Sequence, residues 1–138
     1  MDELVLEKKI DSILRCVERI ESRTPNTNKA FLADLDAQDV VTLNLTRIIQ
    51  LSVDIAMHII ANTNSSSPQT MSESFTTLNM LGVIDEITAT KLKKSVGFRN
   101  IAVHSYGELD LELTFDIANK HLDDFKSYVK QIIQYSKI

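Results

Sequence analysis

The segment Asp36–Asn62, DAQDVVTLNLTRIIQLSVDIAMHIIAN, is the strongest indication of the fold. Its apolar residues recur at intervals of three or four, which predicts one long helix. Further apolar residues widen this stripe until most of the helix surface is apolar, and such a helix belongs in the middle of a bundle. Its one polar strip holds Arg47, Asp54 and His58. We expect Asp36 to cap the start of the helix.

Four more helices are predicted outward from this one. The residues between Thr24 and Asp36 are expected to form a loop or short turn, with Phe31, Leu32 and Leu35 packing on the core. A polar linker, 62–69, follows the central helix, and Thr70 with Glu73 has the form of a capping box. The predicted helices cover about 2–22, a short segment from Thr70 to a stop at Gly82, 85–103 and 110–135. This predicts an all-α fold, an up-down bundle of four main helices plus one short helix, with 1–138 as a single domain.

Composition and charge limit the classes of protein to which this chain can belong. The chain has 138 residues with a formal net charge of −4, which argues against a general nucleic-acid binder. Its single cysteine, Cys16, excludes an internal disulfide and any Cys-rich metal site. We expect no apolar run to approach membrane-spanning length, and the first residues, Met1–Glu3, are acidic, so we predict a cytoplasmic protein without a membrane partner.

A local basic patch departs from this acidic average. Lys91, Lys93, Lys94 and Arg99 fall within nine residues that contain no acid. A patch of this kind can hold a phosphate even in an acidic protein. We therefore assign Lys93 and Lys94 to binding an RNA phosphate.

Arg99 breaks the apolar pattern of the fourth helix. At about 100° per residue, Leu92, Val96 and Val103 lie within roughly 40° of one another, and Arg99 lies midway among them. A guanidinium cannot lose its charge, so an internal carboxylate, a partner subunit or a bound anion must compensate it. Asp54 on the central helix is the candidate internal partner. If Asp54 does not contact Arg99, we expect it to be a charge on the protein surface.

Two more polar groups lie at the same helix end. His104 can transfer protons near neutral pH, and Asn100, four residues earlier, can orient either neighbour. Arginine to hold a phosphate and histidine to move a proton suffice to cleave RNA, whose own 2′-hydroxyl is the nucleophile, so no metal or cofactor is required. Arg99 and His104 are, however, about 140° apart on an ideal helix. Either the helix ends before His104, or a second copy completes the site.

Arg99, four intervening residues, His104, one residue and Tyr106 reproduce the motif of the HEPN toxins of HEPN–MNT toxin–antitoxin pairs, with the polar Asn100 after the arginine. The resemblance extends over nearly the whole chain. The segment 52–60 resembles the central helix of that family, and the linker, the short helix ending at 81–84 and the long terminal helix are also similar.

The resemblance implies a metal-independent endoribonuclease with Arg99 and His104 as catalytic residues. It implies a homodimer in which two motifs face one cleft, which would resolve the 140° separation. It also implies an antitoxin of minimal nucleotidyltransferase (MNT) fold that attaches AMP to Tyr106 and silences the toxin.

A second hypothesis keeps the same residues without catalysis. In it, the chain is a helical module that serves a nucleotidyltransferase and holds a nucleotide phosphate with Arg99 and Lys93. Only the ribonuclease hypothesis requires His104. No metal site is expected, since the three histidines are widely separated and no cysteine pair exists.

Overall fold

The computed structural model describes residues 2–137, and this part of the chain contains helices and no strand. The all-α prediction is therefore confirmed, while residues 1 and 138 of the predicted domain lie outside the described range. Four helices are long and three are short, and a single 3₁₀ turn follows the fifth. The helices are α1 (Glu3–Arg23), α2 (Asn28–Leu32), α3 (Leu35–Ala61), α4 (Met71–Met80), α5 (Glu86–His104), α6 (Leu111–Lys120) and α7 (Leu122–Ser136), and the 3₁₀ turn is Tyr106–Glu108.

The boundaries of α4 are those that the capping box predicts. The Thr70 hydroxyl accepts a hydrogen bond from the Glu73 backbone N–H at 3.0 Å, and the Glu73 carboxylate accepts one from the Gln69 N–H at 3.0 Å. These bonds satisfy donors that the first turn of a helix leaves unpaired. After the helix, Gly82 has a φ of +78°, a conformation that favours glycine.

α3 is the central helix of the bundle. It packs against α1, α2, α4, α5 and α6, and its apolar stripe, including Ile48, Ile55 and Ile59, is completely buried. By length and composition α3 could cross a membrane, so the expectation that no apolar run reaches that length is wrong. More than half of the most apolar 18-residue segment of α3 is, however, buried among the other helices.

Side-chain contacts between the long helices show an up-down arrangement. α1 and α3 pack against each other and line one groove, and only the short segment with α2 joins the end of one to the start of the other, so these two helices run antiparallel. The turn after α5 contacts the start of α3, and the start of α5 contacts the end of α7. The predicted bundle of four main helices, α1, α3, α5 and α7, is therefore confirmed.

The segment before α3 differs from the prediction. It contains α2, whose Phe31 is completely buried as expected, but Leu32 and Leu35 are exposed rather than packed on the core. The cap of α3 is Asp34 instead of Asp36, since the Asp34 carboxylate accepts from the Ala37 N–H at 3.0 Å. The helix therefore begins at Leu35, two residues earlier than a cap at Asp36 would allow.

The last predicted helix is two helices. His121 leaves the helical conformation, with φ −118° and ψ 10°, and separates α6 from α7. Its imidazole lies 3.4 Å from the Asp116 carboxylate and 3.5 Å from that of Asp124. Buried residues on both sides of the break, Ala118 and Leu122, keep helical spacing, so the apolar pattern alone does not indicate the interruption.

Candidate functional site

α5 carries the motif, and its start is fixed by hydrogen bonds. The Asp85 carboxylate caps the helix by accepting from the Thr88 N–H at 2.7 Å, and this bond is the main reason that the pKa of Asp85 is lowered. Gln131 of α7 accepts from the Asp85 N–H at 2.7 Å and donates to the Thr88 hydroxyl at 2.8 Å. The orientation of α5 is thus tied to α7 at the end opposite the motif.

Arg99 is half-buried and lacks a charged partner among residues 2–137. Its Nη1 donates to the Asn100 side-chain oxygen at 3.2 Å, and its Nε is buried without a hydrogen-bond partner in this part of the chain. Leu92 and Val96 are buried beside it, as predicted, whereas Val103 is 46% exposed. The guanidinium therefore lies at the edge of the apolar face, where a ligand or a second chain can complete its hydrogen bonds.

His104 is the last residue of α5 and its side chain is exposed. The helix is regular to that point, because the next backbone N–H, of Ser105, still bonds to the Ile101 carbonyl at 2.8 Å. Arg99 and His104 therefore keep their separation of about 140° around the axis and about 7.5 Å along it. Of the two alternatives for bringing the residues together, an early helix end is excluded.

The remaining polar residues of α5 divide between two sides of the helix. Lys93, Asn100 and His104 are exposed and fall within about 40° of one another at helical spacing. Lys94 instead lines a mainly apolar cavity between α5, α6 and α7. Lys91 is paired with Asp124 of α7 at 3.2 Å, so part of the predicted basic patch is already neutralised.

Tyr106 follows α5 in the 3₁₀ turn and contacts a residue that the sequence analysis missed. Its hydroxyl donates to the Asp39 carboxylate at 2.9 Å, and its side chain is 49% exposed. Partial burial, followed by the hydrogen bond to Asp39 and the charge of that carboxylate, raises the pKa of Tyr106. Asp39 lies 67 residues earlier in the chain, so no local pattern could have identified it.

Asp54 lies 15 residues, or about 22 Å, further along α3 than Asp39, which makes the tyrosine contact. Its carboxylate accepts from Gln50 Nε2 at 2.9 Å and faces a groove between α1 and α3. Among the described ion pairs, none joins Asp54 to Arg99. The structure therefore brings Arg99 and Asn100 together, and it supports no direct contact from Asp54. Within 2–137, no three His, Cys, Asp or Glu side chains are arranged to hold a metal ion.

The model of the ribonuclease HepT-like family matches residues 13–132. The chain belongs to this family. It is 37% identical over 132 residues to the mRNA nuclease HepT of Shewanella oneidensis, covering 96% of this chain and 98% of that one. It is 24% identical over 135 residues to the tRNA nuclease HepT of Aphanizomenon flos-aquae, covering 98% and 92%. The resemblance inferred from the motif is confirmed.

A solved structure supports the same assignment. The tri-AMPylated HEPN toxin of S. oneidensis, in complex with its MNT antitoxin, has a TM-score of 0.89 to this chain at 36% identity, covering 97% of this chain and 99% of that one. A cytosolic Bacillus subtilis protein of unknown function, YutE, shares the fold with a TM-score of 0.86 at 15% identity, covering 99% and 92%.

Proposed function

We propose that this protein is the toxin of a toxin–antitoxin pair and cleaves RNA as an endoribonuclease, with Arg99 and His104 as catalytic residues. Membership of the HepT-like family and the nuclease names of two relatives support this function. The observation that carries it is the half-buried Arg99, with an unpartnered buried Nε, one and a half turns before an exposed histidine. An RNA phosphate would accept hydrogen bonds from the terminal N–H groups of this guanidinium.

The chemistry needs no metal and no cofactor. The 2′-hydroxyl oxygen of RNA attacks the adjacent phosphorus while a base accepts its proton, and the bond from phosphorus to the 5′-oxygen breaks as an acid donates a proton to that oxygen. His104 acts in proton transfer, and Arg99 stabilises the negative charge that develops on the phosphoryl oxygens. Asn100 orients the Arg99 guanidinium, to which its side-chain oxygen is bonded. Lys93 contacts a neighbouring RNA phosphate from the His104 side.

The active form is a homodimer with α5 near the two-fold axis. Because α5 is regular as far as His104, one chain does not direct Arg99 and His104 at the same phosphate. A second copy places another motif opposite the first. His104 of one chain can then act as the base and His104 of the other chain as the acid. Ile101 and Val103, which are 42% and 46% exposed, offer apolar surface for this contact.

The cognate partner is an MNT-type nucleotidyltransferase antitoxin that attaches AMP to Tyr106. The half-exposed hydroxyl is accessible at the end of α5. The tyrosine oxygen loses its proton and bonds to the α-phosphorus of ATP while the bond to the β-phosphate breaks and pyrophosphate leaves. The resulting phosphodiester adds bulk and a negative charge that Arg99 or Lys93 can bind in place of RNA. Toxin and antitoxin act in the cytoplasm, with no membrane component.

The test separates a ribonuclease from a module that only binds nucleotides. His104→Ala should abolish RNA cleavage and growth arrest, since it removes the proton-transfer group. His121→Ala is the matched control, because it removes another exposed histidine at a helix end. If His104→Ala still cleaves RNA and arrests growth as the natural protein does, His104 is not catalytic. If neither the natural protein nor His104→Ala cleaves RNA, and both bind a nucleotide, the binding-module hypothesis replaces the ribonuclease hypothesis.

A further inference from the structure

A groove between α1 and α3 gathers arginine side chains outside the candidate site. Arg15 and Arg19 lie one turn apart on α1, and Arg47 faces them from α3. The groove has a volume of about 430 Å³ and is open to solvent. Neither the family motif nor the proposed catalytic mechanism uses these three arginines.

The positive charges of the three guanidinium groups all influence the Cys16 thiol, which lines the groove. Burial raises the pKa of the Cys16 thiol, and the charges of Arg47, Arg19 and Arg15, in that order, oppose the rise. Arginine keeps its charge at any ordinary pH. The groove therefore concentrates three permanent positive charges in a protein whose net charge is −4.

These charges are not balanced within the described chain. Among residues 2–137, none of the three arginines forms an ion pair, and Arg15 donates only to the Ser12 hydroxyl, at 3.2 Å. Asp54 is the one carboxylate that lines the groove, and it accepts from Gln50. An anionic ligand would complement this excess of positive charge.

The arginine groove is near the candidate site along α3. Asp39, which holds the Tyr106 hydroxyl, and Arg47 are both exposed and eight residues apart on this helix. They are therefore about 12 Å apart along the helix axis and about 80° apart around it. At about 3.4 Å per stacked nucleotide, roughly four nucleotides span that distance.

We propose that the arginine groove binds phosphodiester groups of a ribonucleotide chain that extends from the Arg99–His104 site. The inference rests on the proposed function. Such a chain has two sources, the RNA substrate and AMP units attached at Tyr106, and both present the same phosphate oxygens. Each guanidinium can bind a phosphate through two parallel hydrogen bonds.

The first test measures RNA binding without cleavage. In a His104→Ala background, Arg15→Gln, Arg19→Gln and Arg47→Gln are combined, and binding of a ten-nucleotide single-stranded RNA is followed by fluorescence anisotropy at several salt concentrations. We expect about tenfold weaker binding at low salt, and a salt slope (log K against log salt) smaller by about 2, since each single-strand phosphate contact contributes about 0.7. Binding of a dinucleotide, which is too short to reach the groove, should not change.

The matched control carries the same change in charge elsewhere. Lys8, Lys29 and Lys130 are exposed, line no part of the groove and form none of the described ion pairs. Their combined replacement by glutamine should leave the salt slope nearly unchanged. Equal losses in the two triple variants would reduce the effect to overall charge and overturn the proposal.

The second test distinguishes the two sources of phosphate. Phenylglyoxal modifies accessible arginines, and mass spectrometry reports its reaction at Arg15, Arg19 and Arg47 in the full chain. Protection by added RNA identifies the substrate as occupant, and protection in the AMP-modified chain without RNA identifies the attached AMP units. Unchanged reactivity in both states would contradict the proposal.

The remaining outcomes separate this proposal from the proposed function. If the groove variant keeps its RNA salt slope but loses self-association or antitoxin binding, the groove contacts a protein surface and the proposal is wrong. If the natural protein does not cleave RNA but binds it through the groove, the groove stands and the cleavage proposal fails.

Discussion

Tyr106 and Asp39 form the residue contact that the proposed silencing must alter. The hydroxyl is the donor in this hydrogen bond, and AMP attachment removes its proton and places a negative phosphodiester near the Asp39 carboxylate. Loss of the donor and repulsion between like charges both favour movement of the modified side chain away from α3. We therefore expect the tyrosine to leave Asp39 when it is modified.

Tyr106→Phe should keep RNA cleavage and escape silencing. The ring still fits its site, and the lost hydrogen bond is worth about 1 kcal/mol, too little to unfold the domain. Growth arrest with and without the antitoxin measures the effect, and Tyr135→Phe, another half-exposed tyrosine, is the control. An inactive Tyr106→Phe without antitoxin would make the tyrosine catalytic or structural. A variant that is active and still fully silenced would show that the antitoxin simply occludes the cleft.

At the scale of single residues, the sequence identifies only groups that a local pattern marks. Arg99 stands out because it interrupts an apolar stripe, and the absence of an ion pair to it among residues 2–137 leaves a partner subunit or a bound anion to compensate its charge. Asp39 is one exposed carboxylate among several, and only the folded chain brings it to Tyr106. Asp54, chosen because it lies on the polar strip of α3, faces α1 instead, since helical spacing does not show which neighbour covers each side.

At the scale of elements, periodicity predicts the long helices well and their interruptions poorly. The apolar spacing continues through His121 with no proline or glycine, so nothing local predicts the break between α6 and α7. The short α2 is five residues long and falls within a segment that also reads as a turn. Caps with a clear local partner, such as Thr70 with Glu73, are predictable because the interaction is confined to one turn.

The Asp85 cap should control how firmly α5 is held. Asp85→Ala should lower the free energy of unfolding by about 1 kcal/mol at pH 7, whereas Asp85→Asn should stay close to the natural protein because asparagine also caps helices. Urea unfolding followed by circular dichroism measures the change.

The pH dependence of this cap follows from the lowered pKa of Asp85, caused first by the Thr88 N–H. A lowered pKa means that the carboxylate stabilises the folded state above its unfolded pKa of about 4, and that this stabilisation is lost as the pH falls through the folded value. The loss of unfolding free energy caused by Asp85→Ala should therefore become smaller toward pH 2. A deficit that stays constant from pH 7 to pH 2 would mean that the ionised cap is not its cause.

At the scale of the whole molecule, we predict a two-fold dimer at micromolar concentration. Light scattering should give twice the mass of the 15.6 kDa chain. Val103→Glu should shift the protein toward monomer and lower RNA cleavage together, because it places a charge in the exposed apolar surface of α5. Leu4→Glu, at an exposed leucine at the far start of α1, is the control. A natural protein that is monomeric and still cleaves RNA would contradict a site completed by two copies.

The most direct measurement identifies the ends of RNA fragments made by the purified protein in excess EDTA. We predict cleavage under these conditions, with mass spectrometry showing a cyclic phosphate or a 3′-phosphate on one fragment and a 5′-hydroxyl on the other. Arg99→Ala should lower the rate by about 10²–10³ with the same ends, the usual cost of removing one electrostatic stabiliser. Activity abolished by EDTA and restored by magnesium, or fragments ending in a 5′-phosphate, would contradict cleavage by the 2′-hydroxyl through Arg99 and His104.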